Sequence, residues 1–285
     1  MANYGAVELG GTKTDIAFGT DPDNMSEPTR IITTTPEETL DEVVKTLGRA
    51  DLDAIGVATF GPIRLDTTRD DFGTMLATPK PGWSGTPIYR TLAESCAVPV
   101  ALNTDVNGAA VGEGRWGAAQ GMKDYVYVTI GTGIGAGIVV GGEVLIGEGH
   151  PESGHMRVAR LEGDSYPGAC PYHGDCLEGL AAGPALEARF GRPETFAGNH
   201  AVLALVCGYL AQGLANLVYT VAPERIIVGG GVSSLPGFHA SLRSGLADLL
   251  GAYPDEHDLD LLVSRPGLGT SSGLAGALAL AARMV

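Results

Sequence analysis

Residues 6–18, AVELGGTKTDIAF, place two short apolar runs on either side of a glycine pair. This pattern predicts a strand, a tight glycine turn and a second strand, which together form a β-hairpin. A second glycine-rich stretch, YVYVTIGTGIGAGIVV at residues 125–140, predicts another hairpin in the second half of the chain. Because each hairpin is followed by further strands and helices, the pair indicates an internal duplication. The alternative is two unrelated hairpins.

Short apolar strands alternate with helical patterns along the rest of the chain. Strands are predicted at residues 54–60, 99–102 and 225–228, and helices at residues 36–50, 86–97, 200–221 and in the small-residue tail from residue 267. The chain has 285 residues, about twice the commonest domain size, so two α/β domains are expected. No low-complexity linker separates the halves, and the boundary is expected in the short connection at residues 114–121.

The composition excludes several classes of protein. The formal net charge is −15 and the chain has only four lysines, which argues against binding to nucleic acid or to an anionic membrane. No apolar run approaches the roughly 18 residues of a membrane span. The first residues, MANYGAVELGGTK, lack the basic start of a secretory signal. A soluble cytoplasmic protein is expected, in a compartment where disulfides rarely persist.

The turns of the two hairpins carry residue types that bind phosphate. Residues 10–13 put two glycines, a hydroxyl and an ammonium into one turn, and residues 131–133 repeat the glycines and the hydroxyl. A third glycine cluster, residues 229–233, follows a predicted strand and would let the backbone lie flat against a purine base. An ordinary hairpin turn is the alternative for each of the first two loops.

Neither hairpin turn matches a standard nucleotide motif. The chain contains no GxxxxGK[ST] sequence, which excludes a P-loop enzyme. Residues 131–136 formally match the dinucleotide pattern GxGxxG/A, but a β-branched strand follows them instead of a helix. The pyrophosphate would then lack its helix N-terminus, so a Rossmann dehydrogenase is disfavoured.

The stretch CPYHGDC at residues 170–176 indicates a metal site. The candidate ligands are His155, Cys170, His173 and Cys176. Two thiolates and two imidazoles are a usual ligand set for structural zinc, and four protein ligands leave no position for an activated water. His150 is an alternative to His155 as the fourth ligand, and it is also possible to interpret these four residues as unrelated loop residues that bind no metal. A disulfide is disfavoured by the reducing compartment, and a redox pair is disfavoured by the spacing of the two cysteines. Cys96 and Cys207 lie in apolar helical segments and are predicted core residues.

A loop braced by this metal would carry Glu152 and Glu178, whose carboxylates suit a ligand rich in hydroxyl groups. A further carboxylate, Asp105 in the segment NTDVN, lies where a predicted strand meets a small-residue segment. At such a junction an aspartate can cap the following helix, and capping alone is one interpretation. The other interpretation is a general base that accepts a proton from an alcohol during phosphoryl transfer.

Taken in order, these motifs resemble the ROK family of sugar kinases and repressors, and they are closest to its bacterial zinc-containing fructokinase branch. The matching segments are ELGGTK (8–13), TFGP (59–62), NTDVN (103–107), TIGTG (129–133), ESGH (152–155), CPYHGDCLE (170–178) and GGGV (229–232). The resemblance spans nearly the whole chain. The stretches TFGPI (59–63) and TPKPGW (78–83) are similar to that branch rather than to the glucokinases.

The resemblance implies an actin-like ATPase (ribonuclease H-like) fold, with two α/β domains and an active-site cleft between them. The first domain would comprise residues 1–116 plus a returning C-terminal helix at residues 271–285. The second would comprise residues 117–270 and carry the zinc loop. A homodimer is expected at the level of the family.

The resemblance also implies roles for individual residues. Asp105 would be the base for the sugar's primary hydroxyl, and Glu8, where the wider family usually has Asp, would lie near Mg²⁺. The expected ATP contacts are Gly10, Gly11, Thr12, Lys13, Gly131, Thr132, Gly133, Pro184, Gly229, Gly230, Gly231, Val232 and Ser233. The expected sugar contacts are Asn103, Thr104, Glu152, His155 and Glu178.

The implied reaction is ATP-dependent phosphorylation of the 6-hydroxyl of a hexose, with D-fructose as the expected substrate. A broader hexose kinase acting on mannose, glucose or an amino sugar is one alternative. A non-catalytic sugar-sensing regulator is another, although such regulators carry an N-terminal helix-turn-helix and this chain reaches its phosphate loop at residue 10. A zinc-stabilised binding module without turnover is the third.

Overall fold

The structure, a computed structural model, describes residues 2–253 and 257–285. The chain folds into two compact units. Unit 1 comprises Met1–Gly121, Val144–Pro151 and Gly267–Val285, and unit 2 comprises Met122–Glu143 and Glu152–Pro266. The chain therefore passes between the units at residues 121 and 266, and residues 144–151 group with unit 1. The domain boundaries at residues 116 and 270 stay a prediction.

Each unit is built on a five-stranded sheet. The strands are β1 (Tyr4–Leu9), β2 (Lys13–Gly19), β3 (Thr29–Ile32), β4 (Ala54–Thr59), β5 (Val100–Thr104), β6 (Tyr125–Ile130), β7 (Ile134–Val140), β8 (Glu143–Val144), β9 (Arg225–Gly229) and β10 (Val263–Ser264). The helices are α1 (Pro36–Leu47), α2 (Ile88–Cys96), α3 (Asp105–Trp116), α4 (Leu177–Ala181), α5 (Gly183–Phe190), α6 (Pro193–Phe196), α7 (His200–Val221), α8 (Phe238–Leu250), α9 (Leu259–Leu262) and α10 (Ser272–Ala281).

The two sheets have the same strand order. In unit 1 the order is β3-β2-β1-β4-β5, and in the second sheet it is β8-β7-β6-β9-β10. In both, the first hairpin strand pairs antiparallel with the second and parallel with a strand that arrives after a helical crossover. Both predicted hairpins are therefore present, and the shared order supports the internal duplication over two unrelated hairpins.

Helix α10 packs directly on the backbone of unit 1, which explains its small residues. A Cβ atom added to Gly276 would lie 1.9 Å from the carbonyl oxygen of Gly108 in α3. A Cβ atom on Gly56 in β4 would lie 1.8 Å from the carbonyl oxygen of Ala277. The glycines at these positions allow helix and sheet backbones to approach to a distance that any side chain would prevent. The C-terminal segment thus completes the core of unit 1.

The core of unit 2 is organised around α7. Its buried face includes Leu210 and Leu214 and packs with α4, α8 and the sheet. Among the described residues, α7 is the one helix long and apolar enough, by length and composition alone, to cross a bilayer. Its most apolar 18-residue window is 67% buried within the protein, which is the arrangement of a core helix and makes it weak evidence for a membrane span.

Candidate active site

Asp105 is the first residue of α3 and directly follows β5. The side chain of the preceding residue, Thr104, accepts a hydrogen bond from the backbone N–H of Asn107 at 3.2 Å, so Thr104 is the N-cap of this helix. The Oδ1 atom of Asp105 accepts a bond from the backbone N–H of Val106 at 2.8 Å. The capping role considered for Asp105 therefore belongs to Thr104, and the Asp105 carboxylate lies at the end of the strand.

An acidic cluster surrounds this strand end in unit 1. Burial, together with the negative charges of Asp105 and Asp15, raises the pKa of Glu8 in β1 to about 7. The positive charges of Lys13 and Arg30 oppose that effect. Carboxylates that raise one another's pKa lie close together, and oxygen ligands of this kind suit a divalent cation such as Mg²⁺.

Asp15 is held by two cations, and sequence reasoning missed this arrangement. Arg30 Nε lies 2.6 Å from Asp15 Oδ1, and Lys13 Nζ lies 3.2 Å from Asp15 Oδ2. Although burial alone would raise the pKa of Asp15, the hydrogen bonds from Arg30 and Lys13 hold it below its ordinary value. The Lys13 side chain remains 55% exposed, so its ammonium can also contact a ligand outside the pair.

The glycine turn of unit 1 is fixed from both sides. The N–H of Gly10 donates to the carbonyl oxygen of Lys13 at 3.0 Å, and the Thr33 hydroxyl donates to the carbonyl oxygen of Gly10 at 2.8 Å. Lys80, from the TPKPGW stretch, donates from Nζ to the carbonyl oxygen of Thr33 at 3.0 Å. Its side chain passes within 4.0 Å of the position that a Cβ on Gly11 would take. Lys80 is a second cation at this turn that no loop motif indicated.

Asn103, a predicted sugar contact at the end of β5, is held by hydrogen bonds to its side-chain oxygen. Oδ1 accepts from the Thr104 N–H at 2.9 Å and from Asn107 Nδ2 at 2.8 Å. His150 also lies in unit 1, with Nε2 at 3.3 Å from Asn107 Oδ1. His150 is therefore held at Asn107, apart from the Cys/His cluster of unit 2.

In unit 2, the predicted ATP-binding segments meet at the end of β6. The turn is closed by a bond from the Gly131 N–H to the carbonyl oxygen of Gly133 at 2.9 Å. The N–H of Gly183, at the start of α5, donates to the carbonyl oxygen of Gly131 at 2.8 Å, which places Pro184 and the first turn of α5 beside the loop. Thr132 lies between the two glycines of the turn.

The third glycine cluster also lies against the end of β6. Gly230 has φ +88°, and a Cβ added to it would lie 2.4 Å from the carbonyl oxygen of Ile130. The Ser233 hydroxyl donates to the carbonyl oxygen of Gly230 at 2.8 Å and closes the loop. Gly231 has open space where a Cβ would stand, so a ligand could approach its backbone closely. Gly229 and Val232 flank these residues.

The four candidate metal ligands come together in unit 2. Their ligand atoms all lie within 4.8 Å of one another. His155 Nδ1 lies 3.7 Å from Cys170 Sγ and 3.5 Å from Cys176 Sγ, and His173 Nδ1 lies 3.8 Å from Cys170 Sγ. A tetrahedral zinc ion with Zn–S of about 2.3 Å and Zn–N of about 2.0 Å separates N and S ligands by about 3.5 Å. The cluster therefore fits a tetrahedral metal ion of this size, and all four cysteines of the chain are free thiols.

Glu152 and Glu178 lie beside this cluster. Burial raises the pKa of Glu152, the nearby His155 opposes that rise, and the charge of Glu178 adds a smaller increase. Glu178 Oε2 accepts from the N–H of Ile134 at 3.0 Å, directly after the Gly131–Gly133 turn. Because Nδ1 of His155 faces the sulfurs, its Nε2 atom is the nitrogen available to a ligand such as a sugar hydroxyl.

Comparison with known proteins identifies the family. The sequence profile of the ROK family matches residues 4–284. The chain belongs to the ROK family. A "Putative fructokinase" of Bacillus subtilis is 40% identical to it over 282 residues, covering 97% of this chain and 94% of that protein. A "Fructokinase" of Zymomonas mobilis is 39% identical over 291 residues, covering 98% of this chain and 96% of that protein.

A solved structure of this ROK family has the same architecture. The crystal structure of a ROK family glucokinase from Streptomyces griseus, in complex with glucose and AMPPNP, matches with a TM-score of 0.79 at 26% identity. The match covers 99% of this chain and 100% of that one. The predicted family and the predicted α/β fold, the actin-like ATPase fold of the ROK sugar kinases, are confirmed.

Proposed function

We propose that this ROK protein is a fructokinase that transfers the γ-phosphoryl group of ATP to the 6-hydroxyl of D-fructose. The observation that carries the proposal is the position of Asp105, at the end of β5 beside Glu8 and with the helix cap supplied by Thr104. The predicted enzyme class, a sugar kinase, is confirmed by fructokinases about 40% identical over nearly the whole chain.

Asp105 would act as the general base. Its carboxylate accepts the proton of the 6-hydroxyl while that oxygen forms a bond to the γ-phosphorus, and the bond from phosphorus to the β-γ bridging oxygen breaks to release ADP. Little other covalent chemistry is required of the protein, because phosphoryl transfer depends mainly on positioning and charge stabilisation. The position of Asp105 after a strand of the sheet gives the base a rigid support.

The glycine turns would hold ATP. The expected phosphate contacts are Gly10, Gly11, Thr12 and Lys13 in unit 1 and Gly131, Thr132 and Gly133 in unit 2. Because the N–H groups of Gly10 and Gly131 close their own turns, phosphate oxygens would be bound by other backbone N–H groups of these turns, by the hydroxyls and by the Lys13 ammonium. Pro184 and the loop of residues 229–233 both abut the end of β6 and would flank the adenosine. Glu8, with Asp105 and Asp15, would hold Mg²⁺, which neutralises charge on the phosphates when bound.

A structural zinc ion would be bound by His155, Cys170, His173 and Cys176. Zinc there supplies rigidity, because four protein ligands complete its coordination. The support for this proposal is the fit of the ligand separations to a tetrahedral ion. The sugar would be contacted by Asn103, Thr104, Glu152, Glu178 and Nε2 of His155. A homodimer and a cytoplasmic location are proposed with this function on the basis of the family resemblance.

The substrate is tested by a coupled assay of ADP release with fructose, mannose, glucose and an amino sugar. We expect fructose to give the highest kcat/KM. ADP release with another sugar of the panel but not with fructose would reassign the substrate. No ADP release with any of the sugars would overturn the proposed kinase activity.

The base is tested with Asp105→Asn, which keeps the size of the side chain and removes its basicity. We expect kcat to fall by about 10²–10⁴-fold while calorimetric affinities for ATP and fructose change little. Asp51→Asn, at an exposed position of unit 1, is the matched control and should keep wild-type kcat. A kcat for Asp105→Asn near that of the control would refute the assignment.

A further inference from the structure

A one-way hydrogen-bond chain runs from β5 to His150 inside unit 1. Asn103 Oδ1 accepts from the backbone N–H of Thr104 at 2.9 Å and from Asn107 Nδ2 at 2.8 Å. On its other side, Asn107 Oδ1 lies 3.3 Å from His150 Nε2. Asn107 is fully buried and Asn103 is 9% exposed, so both amides depend on these partners.

The donor and acceptor roles along the chain follow from its first member. The N–H of Thr104 can only donate, so the Asn103 atom that faces it must be the amide oxygen. Asn107 must then present its NH₂ group to that oxygen and its own oxygen to His150. His150 Nε2 therefore has to carry a hydrogen. The histidine thus supplies the donor for Asn107 Oδ1 and, with Asn103 Oδ1 on the other side, holds the Asn107 side chain in one position.

His150 is well suited to hold this arrangement near neutral pH. Burial lowers the pKa of its imidazole to about 4, so the ring is neutral near pH 7, and the Asn107 oxygen that faces Nε2 selects the tautomer with the hydrogen on that nitrogen. The segment that carries it, Val144–Pro151, belongs to unit 1 although the residues on both sides of it belong to unit 2. Ile146 and Val144 pack into hydrophobic clusters of unit 1 and anchor the segment there.

We propose that His150 is a positioning residue for the sugar, which acts through Asn107 to hold the Asn103 side chain in place, with its NH₂ group facing the bound hexose. With Asn103 Oδ1 occupied by Thr104 and Asn107, the NH₂ group points away from both and can donate to a sugar hydroxyl oxygen. The inference rests on the proposed function, since it takes Asn103 as a sugar contact. It adds a specificity role for a residue outside the metal cluster and the phosphate turns.

The test compares three variants of the full chain. His150→Gln keeps a donor near the position of Nε2, His150→Glu has the same shape but offers only acceptors, and His150→Leu offers neither. We expect the KM for the preferred hexose to stay within about 3-fold of wild type in Gln and to rise about 5- to 100-fold in Glu and Leu, the range for a lost buried hydrogen bond. The KM for ATP and the kcat at saturating sugar should change by less than about 3-fold.

The outcomes separate this inference from the kinase proposal. The wild-type protein is first assayed with the hexose panel, and a failure there concerns the proposed function. The variants are then compared on whichever hexose gives the best turnover, with thermal unfolding measured in parallel. Equal KM values in Gln and Glu overturn the inference, whether both are unchanged or both raised, because the donor would then be irrelevant. A parallel rise in the KM for ATP also overturns it, because a general loosening of the fold would explain that result.

Discussion

A buried carboxylate, Glu113, gives the sharpest stability prediction. It lies near the end of α3, is fully buried, and accepts four hydrogen bonds. Oε2 accepts from the backbone N–H groups of Ala118 at 2.7 Å and Gly267 at 2.9 Å. Oε1 accepts from the N–H of Leu268 at 3.1 Å and from the Ser272 hydroxyl at 2.7 Å. This side chain therefore joins α3 to Ala118, shortly before the chain leaves unit 1 at residue 121, and to residues 267–272, where the chain has returned to unit 1.

The perturbation is Glu113→Gln, which keeps the shape and replaces one acceptor oxygen by an NH₂ donor. An NH₂ group in place of Oε2 loses two of the four bonds, and one in place of Oε1 loses only the bond from Leu268. The less costly orientation turns NH₂ towards Ser272, because a hydroxyl can rotate and accept, and leaves the Leu268 N–H facing another donor. Hydrogen bonds to charged groups contribute about 1.5–3 kcal/mol each, so in the less costly orientation, which loses one bond, we expect a loss of about 1.5–3 kcal/mol of unfolding free energy.

The assay is urea unfolding at 25 °C with the denaturant slope compared between variants. A loss of this size also corresponds to a melting temperature lower by about 3–12 °C. The matched control is Glu94→Gln at an exposed position of α2, which should stay within about 0.5 kcal/mol of wild type. A loss below about 1 kcal/mol for Glu113→Gln would show that these four bonds do not hold the segment before α10.

Two further perturbations test unit 2. Cys176→Ser removes one ligand of the cluster, so the bound zinc measured by metal analysis and the melting temperature should both fall. The control Cys96→Ser lies outside the cluster and should change neither quantity. An unchanged melting temperature after complete metal removal would contradict the structural role. Burial, helped by the charges of Arg265 and Arg243, lowers the pKa of His239 to about 4. The unfolded state, with a pKa of about 6.5, therefore binds more protons between those values, and stability should fall as the pH drops from about 6.5 to 4. In urea titrations at the two pH values, the unfolding free energy of His239→Gln should fall by up to about 3 kcal/mol less than that of the wild type. An equal fall in wild type and variant would contradict this prediction.

The elements that the sequence predicted best are those whose signals are local. Helical spacing and Pro36 placed α1, and the 22-residue apolar pattern placed α7 at His200–Val221. The glycine turns placed both hairpins, because glycines between two apolar runs mark a turn between strands. The Cys/His cluster was also predictable, since the spacing of three of its ligands within seven residues leaves few other arrangements.

The cap of α3 could not be assigned from the sequence in the same way. Thr104 and Asp105 are adjacent and both are good capping residues, and the choice depends on which side chain reaches the N–H of Asn107. Once Thr104 takes that role, Asp105 becomes a helical residue at the strand end. This single-residue difference is the reason that the base interpretation gains support from the structure.

Contacts between distant segments were beyond the reach of local patterns. Arg30 meets Asp15 through the pairing of β2 with β3, and Lys80 reaches Thr33, beside the glycine turn of unit 1, across 47 residues of sequence. Glu113 binds residues more than 150 positions away. The grouping of residues 144–151 with unit 1 has no compositional mark either. Each of these contacts depends on which helices and strands become neighbours in the fold, and local patterns in a single sequence do not indicate that.

The Cys/His cluster is linked to the glycine turn of unit 2 through helix α4 and one hydrogen bond. Cys176 directly precedes α4, and Glu178 in that helix accepts the hydrogen bond from Ile134 at the start of β7. A displacement of Cys176 would therefore move the carboxylate that fixes the end of the Gly131–Gly133 turn. His155, which faces the sulfurs, stands three residues after Glu152, so a metal ion at this cluster would fix both of the proposed sugar-contacting carboxylates of unit 2, Glu152 and Glu178. The physical role of such a metal would be to set the positions of these carboxylates, and its loss should weaken sugar binding together with stability.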